Sequence, residues 1–164
     1  MKLGNVFADK FQEIANKSKW SPFRKTMRLE LLTTLDGIAS EMTLKWREDD
    51  ELRIDRAYYN RDSVRPTIAV KQESVRRDWE SDIRRLLRAN ARLSILICFL
   101  TEQEQNELRG EIVNKLDTEM RVGRFSDEFM LISGNSSTQS KDMNFVIYSY
   151  FPKIFEKKII YDIP

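Results

Sequence analysis

The stretch Leu52–Ser74, LRIDRAYYNRDSVRPTIAVKQES, decides how this chain is read. It holds two short apolar runs, each carrying charge. In the first, Ile54 and Asp55 lead into Ala57, Tyr58 and Tyr59; in the second, Thr67 to Val70 lead into Lys71, Gln72 and Glu73. Pro66 opens the second run, a position where a strand does not need the missing amide donor. Side chains alternate faces along a strand, so Lys71 and Glu73 share a face. The pattern predicts two neighbouring strands, with Asp55 near the middle of the first and the charged pair at the end of the second. Carboxylates gathered in this way suit a hard divalent cation.

Towards the N-terminus, Phe7, Phe11, Ile14 and Ala15 recur at helical spacing and predict a helix over Val6–Lys17. Ser21 and Pro22 suit an N-cap and first turn. They predict a second helix to about Ala39, burying Met27, Leu31, Leu32, Leu35 and Ile38, with Glu30 beside the apolar stripe. The alternation of Met42–Trp46 predicts a strand, and the REDDE segment a charged turn into the strand of Asp55. Towards the C-terminus, Val75, Trp79, Ile83, Leu86 and Leu87 form the apolar face of a helix ending near Asn90. The continuous apolar run Ser94–Leu100 predicts a buried central strand. Thr101 with Glu104 forms a capping-box pattern for a helix from Glu102 to about Leu116. Phe129–Ser133 and Asn144–Tyr150 read as strands separated by the polar GNSSTQSKD loop, and the last residues, including IIYDI, carry no firm assignment.

Composition sets the outer bounds. A chain of 164 residues with 41% hydrophobic and 33% charged residues is expected to form one domain over residues 1–164 around one core. Its net charge of +2 makes no general case for nucleic acid, so local clustering has to carry that case. The absence of histidine excludes a Ser-His-Asp triad, a Cys-His pair and His-ligated zinc. The lone Cys98 excludes an internal disulfide; it fits a reducing, cytoplasmic setting and reads as a core thiol. No leader-like segment and no bilayer-length apolar run is found, so no membrane partner is expected.

Helix, three strands, helix and strand is the αβββαβ order of the restriction-endonuclease-like, PD-(D/E)xK nuclease superfamily. From Phe23 to Leu100 the chain resembles that superfamily. Asp55 in RIDRAYY stands at the position of the second-strand acid, and Glu30 in MRLELL at that of the helical Glu. IAVKQES looks like the end of the third strand, and DWESDIRRLL resembles the helix that follows it. The resemblance implies an α/β fold with a mixed central sheet flanked by helices, here with an added N-terminal helix and a C-terminal strand extension. It implies a nuclease dependent on Mg²⁺ or Mn²⁺ that hydrolyses the phosphodiester bonds of nucleic acid, DNA rather than RNA, with homodimerisation allowed. Asp55, Glu73, Glu30 and the carbonyl of Gln72 would then face the metal, and Lys71 would activate water or stabilise charge. The motif departs from the family in one respect: Lys71 precedes Glu73, where the family has an acid and then a lysine. That two-residue shift displaces a head group by roughly 6–7 Å.

Arg56, Arg61 and Arg65 are the expected phosphate contacts. Arg77, Arg84 and Arg88 form a stripe at i, i+7 and i+11 on the Val75–Asn90 helix that also suits phosphates. Glu80–Arg84 and Asp82–Arg85 spacing, however, allows ordinary surface pairs, and in the superfamily this helix packs behind the sheet. Two other readings stand beside the nuclease. One is a catalytically inactive relative that binds nucleic acid or a protein. The other is a different small α/β protein in which Asp55 and Lys71 form a cross-strand ion pair, Glu73 is a solvated strand end and Glu30 a surface carboxylate.

Overall fold

A computed structural model of the chain describes residues 2–18, 20, 24–48, 51–73, 79–120, 126–135, 145–151 and 154–163. The first helix, α1 (Leu3–Ala15), buries Phe7, Ala8, Phe11 and Ala15. It begins earlier than its apolar periodicity suggests because a distant carboxylate caps it. Glu128 accepts hydrogen bonds from the Leu3 and Gly4 amides at 3.0 and 2.8 Å, satisfying donors that a helix start leaves orphaned. A Cβ at position 4 would stand 2.6 Å from Glu128 Oε2, so a larger residue there would push this carboxylate away from the helix start.

The second helix, α2 (Arg24–Glu41), buries Met27, Leu31, Leu35 and Ile38 as expected, while Leu32 is half-buried. Its proposed Ser21–Pro22 entrance lies outside the described residues. The helix runs past Ala39, so the first strand, β1, is Lys45–Arg47 instead of Met42–Trp46. Met42 and Thr43 form the turn that ends the helix. Thr43 takes a φ of 59°, and the Leu44 amide donates to Ala39 O at 2.8 Å. A left-handed residue just past a helix is a common stop; the alternation of MTLKW concealed it.

β2 (Arg56–Tyr59) and β3 (Ile68–Glu73) follow, then α3 (Trp79–Arg88) and β4 (Leu93–Leu100). The start of the α3 segment expected from Val75 lies outside the described residues. All eight residues of β4 are buried, and Cys98 is among them. The Thr101–Glu104 box forms as predicted: the Thr101 amide donates to Glu104 Oε2 at 2.9 Å and the Glu104 amide to Thr101 Oγ1 at 3.3 Å. It starts α4 (Glu102–Met120), which leads to β5 (Glu128–Asn135), β6 (Phe145–Phe151) and β7 (Ile154–Ile163). The unassigned C-terminal stretch is therefore a strand. Residues 136–144, most of the expected loop, lie outside the described residues.

The seven strands form one mixed sheet in sequence order. β1, β2 and β3 are antiparallel, β3, β4 and β5 are parallel, and β6 and β7 complete the sheet antiparallel. Alternation along the strands divides the core into two. Tyr58, Ile68, Val70, Ile95, Ile97 and Ile132 pack with α1 and α2. Ala69, Leu96, Cys98, Leu131 and Tyr148 pack with α3 and α4. The result is a sheet between two helical layers, the arrangement that covers parallel strands on both faces. Among the described residues no helix is long and apolar enough to cross a membrane.

Candidate functional site

The antiparallel register pairs Arg56 with Val70 and Ala57 with Ala69. One step further it brings Asp55 beside Lys71, at the carboxyl end of β3. Asp55 does not lie mid-strand as expected; it stands at the entrance to β2, tied to β3 by its amide, which donates to Val70 O at 3.0 Å. The chain reaches this point through a turn in which Arg53 takes a left-handed φ of 50°. Leu52 and Ile54 on either side of Arg53 pack against the α3/α4 core.

Both carboxylate oxygens of Asp55 are engaged. Arg28 from α2 donates to Oδ1 at 2.5 Å. On Oδ2, the Gln72 amide donates at 2.7 Å and Lys71 Nζ stands at 3.3 Å. The side chains of Asp55 and Lys71 are only 11% and 15% exposed, so this is a half-buried pair sheltered from solvent screening. The cross-strand ion pair is thus formed, with a second cation added to it.

The helix contributes a base where the sequence suggested an acid. Arg28 and Glu30 are two residues apart, about 200° around the helix axis, so they occupy opposite flanks. With Arg28 on Asp55, Glu30 is carried away from it; Glu30 is half-buried and its carbonyl accepts from Thr34 Oγ1 at 3.0 Å. The side chain of Glu73 lies outside the described residues. Among the described residues no three acidic, histidine or cysteine side chains gather where they would hold a metal ion. The central carboxylate of the described donor set is compensated by two basic side chains.

A second network adjoins the first. Asp36, farther along α2, accepts a fork from Arg56, Nε to Oδ1 at 3.0 Å and Nη2 to Oδ2 at 3.3 Å. It also accepts from the Tyr58 hydroxyl at 2.7 Å. Arg56 and Tyr58 are i,i+2 on β2 and so share the face towards α2. Burial, reinforced by the bond to Asp36, pushes the Tyr58 phenol above its usual range, while Asp36 raises the Arg56 guanidinium. Arg56 also lies 4.9 Å from the ring centre of Trp46. Neither Arg28 nor Asp36 stood out in the sequence; their signal is that they flank the apolar stripe of α2 on one side.

The other expected phosphate contacts diverge. Arg65 is built into the fold, donating to the carbonyls of Asn90 and Ala91 and pairing with Asp127 at 3.0 Å. Arg61 is exposed and lines a shallow cleft with Arg47, Tyr59 and Ser63. Gln72 is 4% exposed, and its Oε1 has no hydrogen-bond partner among the described residues. A cleft of about 340 Å³ opens beside Asp55 between Trp46, Arg47, Glu48, Arg53 and Arg56. Its lining sets Arg47, Arg53 and Arg56 against Glu48 and Asp55, a small basic excess that favours anionic ligands. No family model, curated protein or solved structure matches this chain.

Proposed function

We propose that this chain is a non-catalytic, nucleic-acid-binding module with a restriction-endonuclease-like fold. The observation that carries the proposal is the closure of Asp55 by Arg28, Lys71 and the Gln72 amide. A divalent ion entering there would have to displace two basic side chains and lie beside them, where Coulomb repulsion opposes its binding. What remains is a basic rim fitted to phosphates at the carboxyl end of β3. The order from α2 to β4, helix, three strands, helix and strand, supports the fold assignment.

The test is to mix the purified chain with fluorescent duplex and single-stranded oligonucleotides, with Mg²⁺, Mn²⁺ or EDTA. The expected result is salt-sensitive binding, no cleavage, and no metal-binding heat at millimolar concentrations. A second reading, the metal-dependent nuclease, is favoured by one observation: a lysine from β3 within 3.3 Å of the β2-entrance acid, with Glu73 on the same strand. In that reading Asp55, Glu73, Gln72 and Glu30 serve the metal and Lys71 the water. EDTA-sensitive cleavage that disappears in Asp55→Asn would establish this second reading in place of the first.

A further inference from the structure

Beyond Arg53 lies a larger cleft, of about 520 Å³, between the turn before β2 and the outer surface of α3. Arg53, Arg84, Arg85 and Arg88 line it, together with Glu51 and Ser81. Its walls follow from local structure. Leu52 and Ile54 anchor the turn to the α3/α4 core, leaving the exposed Arg53 between them. Arg84 and Arg88 are i,i+4 on α3 and so lie on one face of that helix.

The four arginines are not equally committed. Arg85 is held at 2.8 Å by Asp82, which is 0% exposed. Arg84 reaches Glu80 only at 3.9 Å, and Glu80 also faces Lys115 at 3.7 Å. Arg53 and Arg88 make no ion pair among the described residues. Among the described residues, positive charge is therefore in surplus in a concave site. Arg53 lines this cleft and the one at Asp55 alike, so the two basic surfaces are continuous.

We propose that the α3 cleft binds the phosphodiester backbone of a nucleic acid that continues past Arg53 towards the Asp55 rim. The proposal rests on the nucleic-acid reading above but not on the lack of catalysis. Guanidinium groups suit phosphate because they donate in a planar fork. The concavity and the scarcity of apolar side chains in the cleft favour a strand over a flat lipid surface.

The experiment measures fluorescence anisotropy of a duplex and a single-stranded oligonucleotide over a range of salt concentrations. It compares the unaltered chain with Arg53→Ala/Arg88→Ala and with Lys10→Ala, a charge control on α1. Thermal melting checks that each variant folds. The expected loss for the double variant is about tenfold in affinity, with the slope of log affinity against log salt reduced by about 2, and no comparable loss for Lys10→Ala. Unchanged binding in the double variant would overturn the cleft while leaving nucleic-acid binding at another surface. No binding by the unaltered chain at low salt would overturn both. Metal-dependent cleavage with the same arginine dependence would remove only the non-catalytic reading and support the cleft. Preference for phosphatidylserine vesicles over either oligonucleotide would overturn the cleft in favour of a lipid surface.

Discussion

On one side of Arg53, Asp55 collects Arg28, Lys71 and a backbone amide; on the other, Arg84 and Arg88 face an open cleft. Both regions are rich in basic side chains, yet they differ in what those charges meet. At Asp55 the side-chain exposures of 11% and 15% keep water from screening the pair, and each charge depends on its partner. On α3 the charges of Arg84 and Arg88 are solvated, and removing either strands no buried partner. The comparison separates basic residues that hold the fold from those left to attract something else.

The largest expected effect is that of Asp55→Ala. It leaves Lys71 without its carboxylate, and breaking a sheltered pair in this way costs about 3 kcal/mol. Arg88→Ala should change stability by no more than about 0.5 kcal/mol, as for an ordinary surface site. Urea unfolding of both variants checks the contrast, and equal losses would abolish it. Asp36→Ala comes next at about 2 kcal/mol, because it deprives the buried Tyr58 hydroxyl and the Arg56 fork of one acceptor. Arg56 would keep its Trp46 contact, so the loss should be smaller than for Asp55. A ranking with Asp36 first would place the principal electrostatic anchor one network further along α2.

Glu128→Ala should cost about 1 kcal/mol by uncapping α1, and it tests a carboxylate outside both regions. Hydrogen exchange at Leu3 and Gly4 should accelerate before the sheet amides respond. The smallest effect is an alkaline one. Tyr58 has a raised folded pKa, so its contribution is complete below the unfolded value of roughly 10 and is lost as pH rises above it. Stability should therefore fall above that pH, and Tyr58→Phe should flatten the decline. An unchanged decline in Tyr58→Phe would assign the alkaline sensitivity to other groups.

The elements were largely legible in the chain because their signals are local. The unbroken apolar run of β4, the Thr101–Glu104 box and the buried stripe of α2 each act through neighbours in sequence. One local pattern can imitate another: alternation over Met42–Trp46 resembles a strand, but the left-handed Thr43 ends a helix there. The weakly patterned β7 became a strand by pairing with β6, an interaction between segments that neither periodicity records.

The candidate site was legible only in part. The sequence by itself determined that Asp55, Lys71 and Glu73 fall on neighbouring chain segments, since alternation and the turn between them set their order. Tertiary structure alone decided that Arg28 joins Lys71 at Asp55. The rotation of α2 about its axis is set by packing Met27, Leu31, Leu35 and Ile38 into the core. That rotation turns Arg28 towards β2 and Glu30 to the opposite flank, exchanging a carboxylate for a guanidinium. The surplus charge on α3 was likewise decided in three dimensions. The i,i+3 and i,i+4 spacings named the pairs Asp82–Arg85 and Glu80–Arg84, but only the fold brought Arg53 and Lys115 alongside and shifted that balance. Helical and strand periods are properties of adjacent residues, whereas electrostatic neighbours depend on how whole elements rotate and pack.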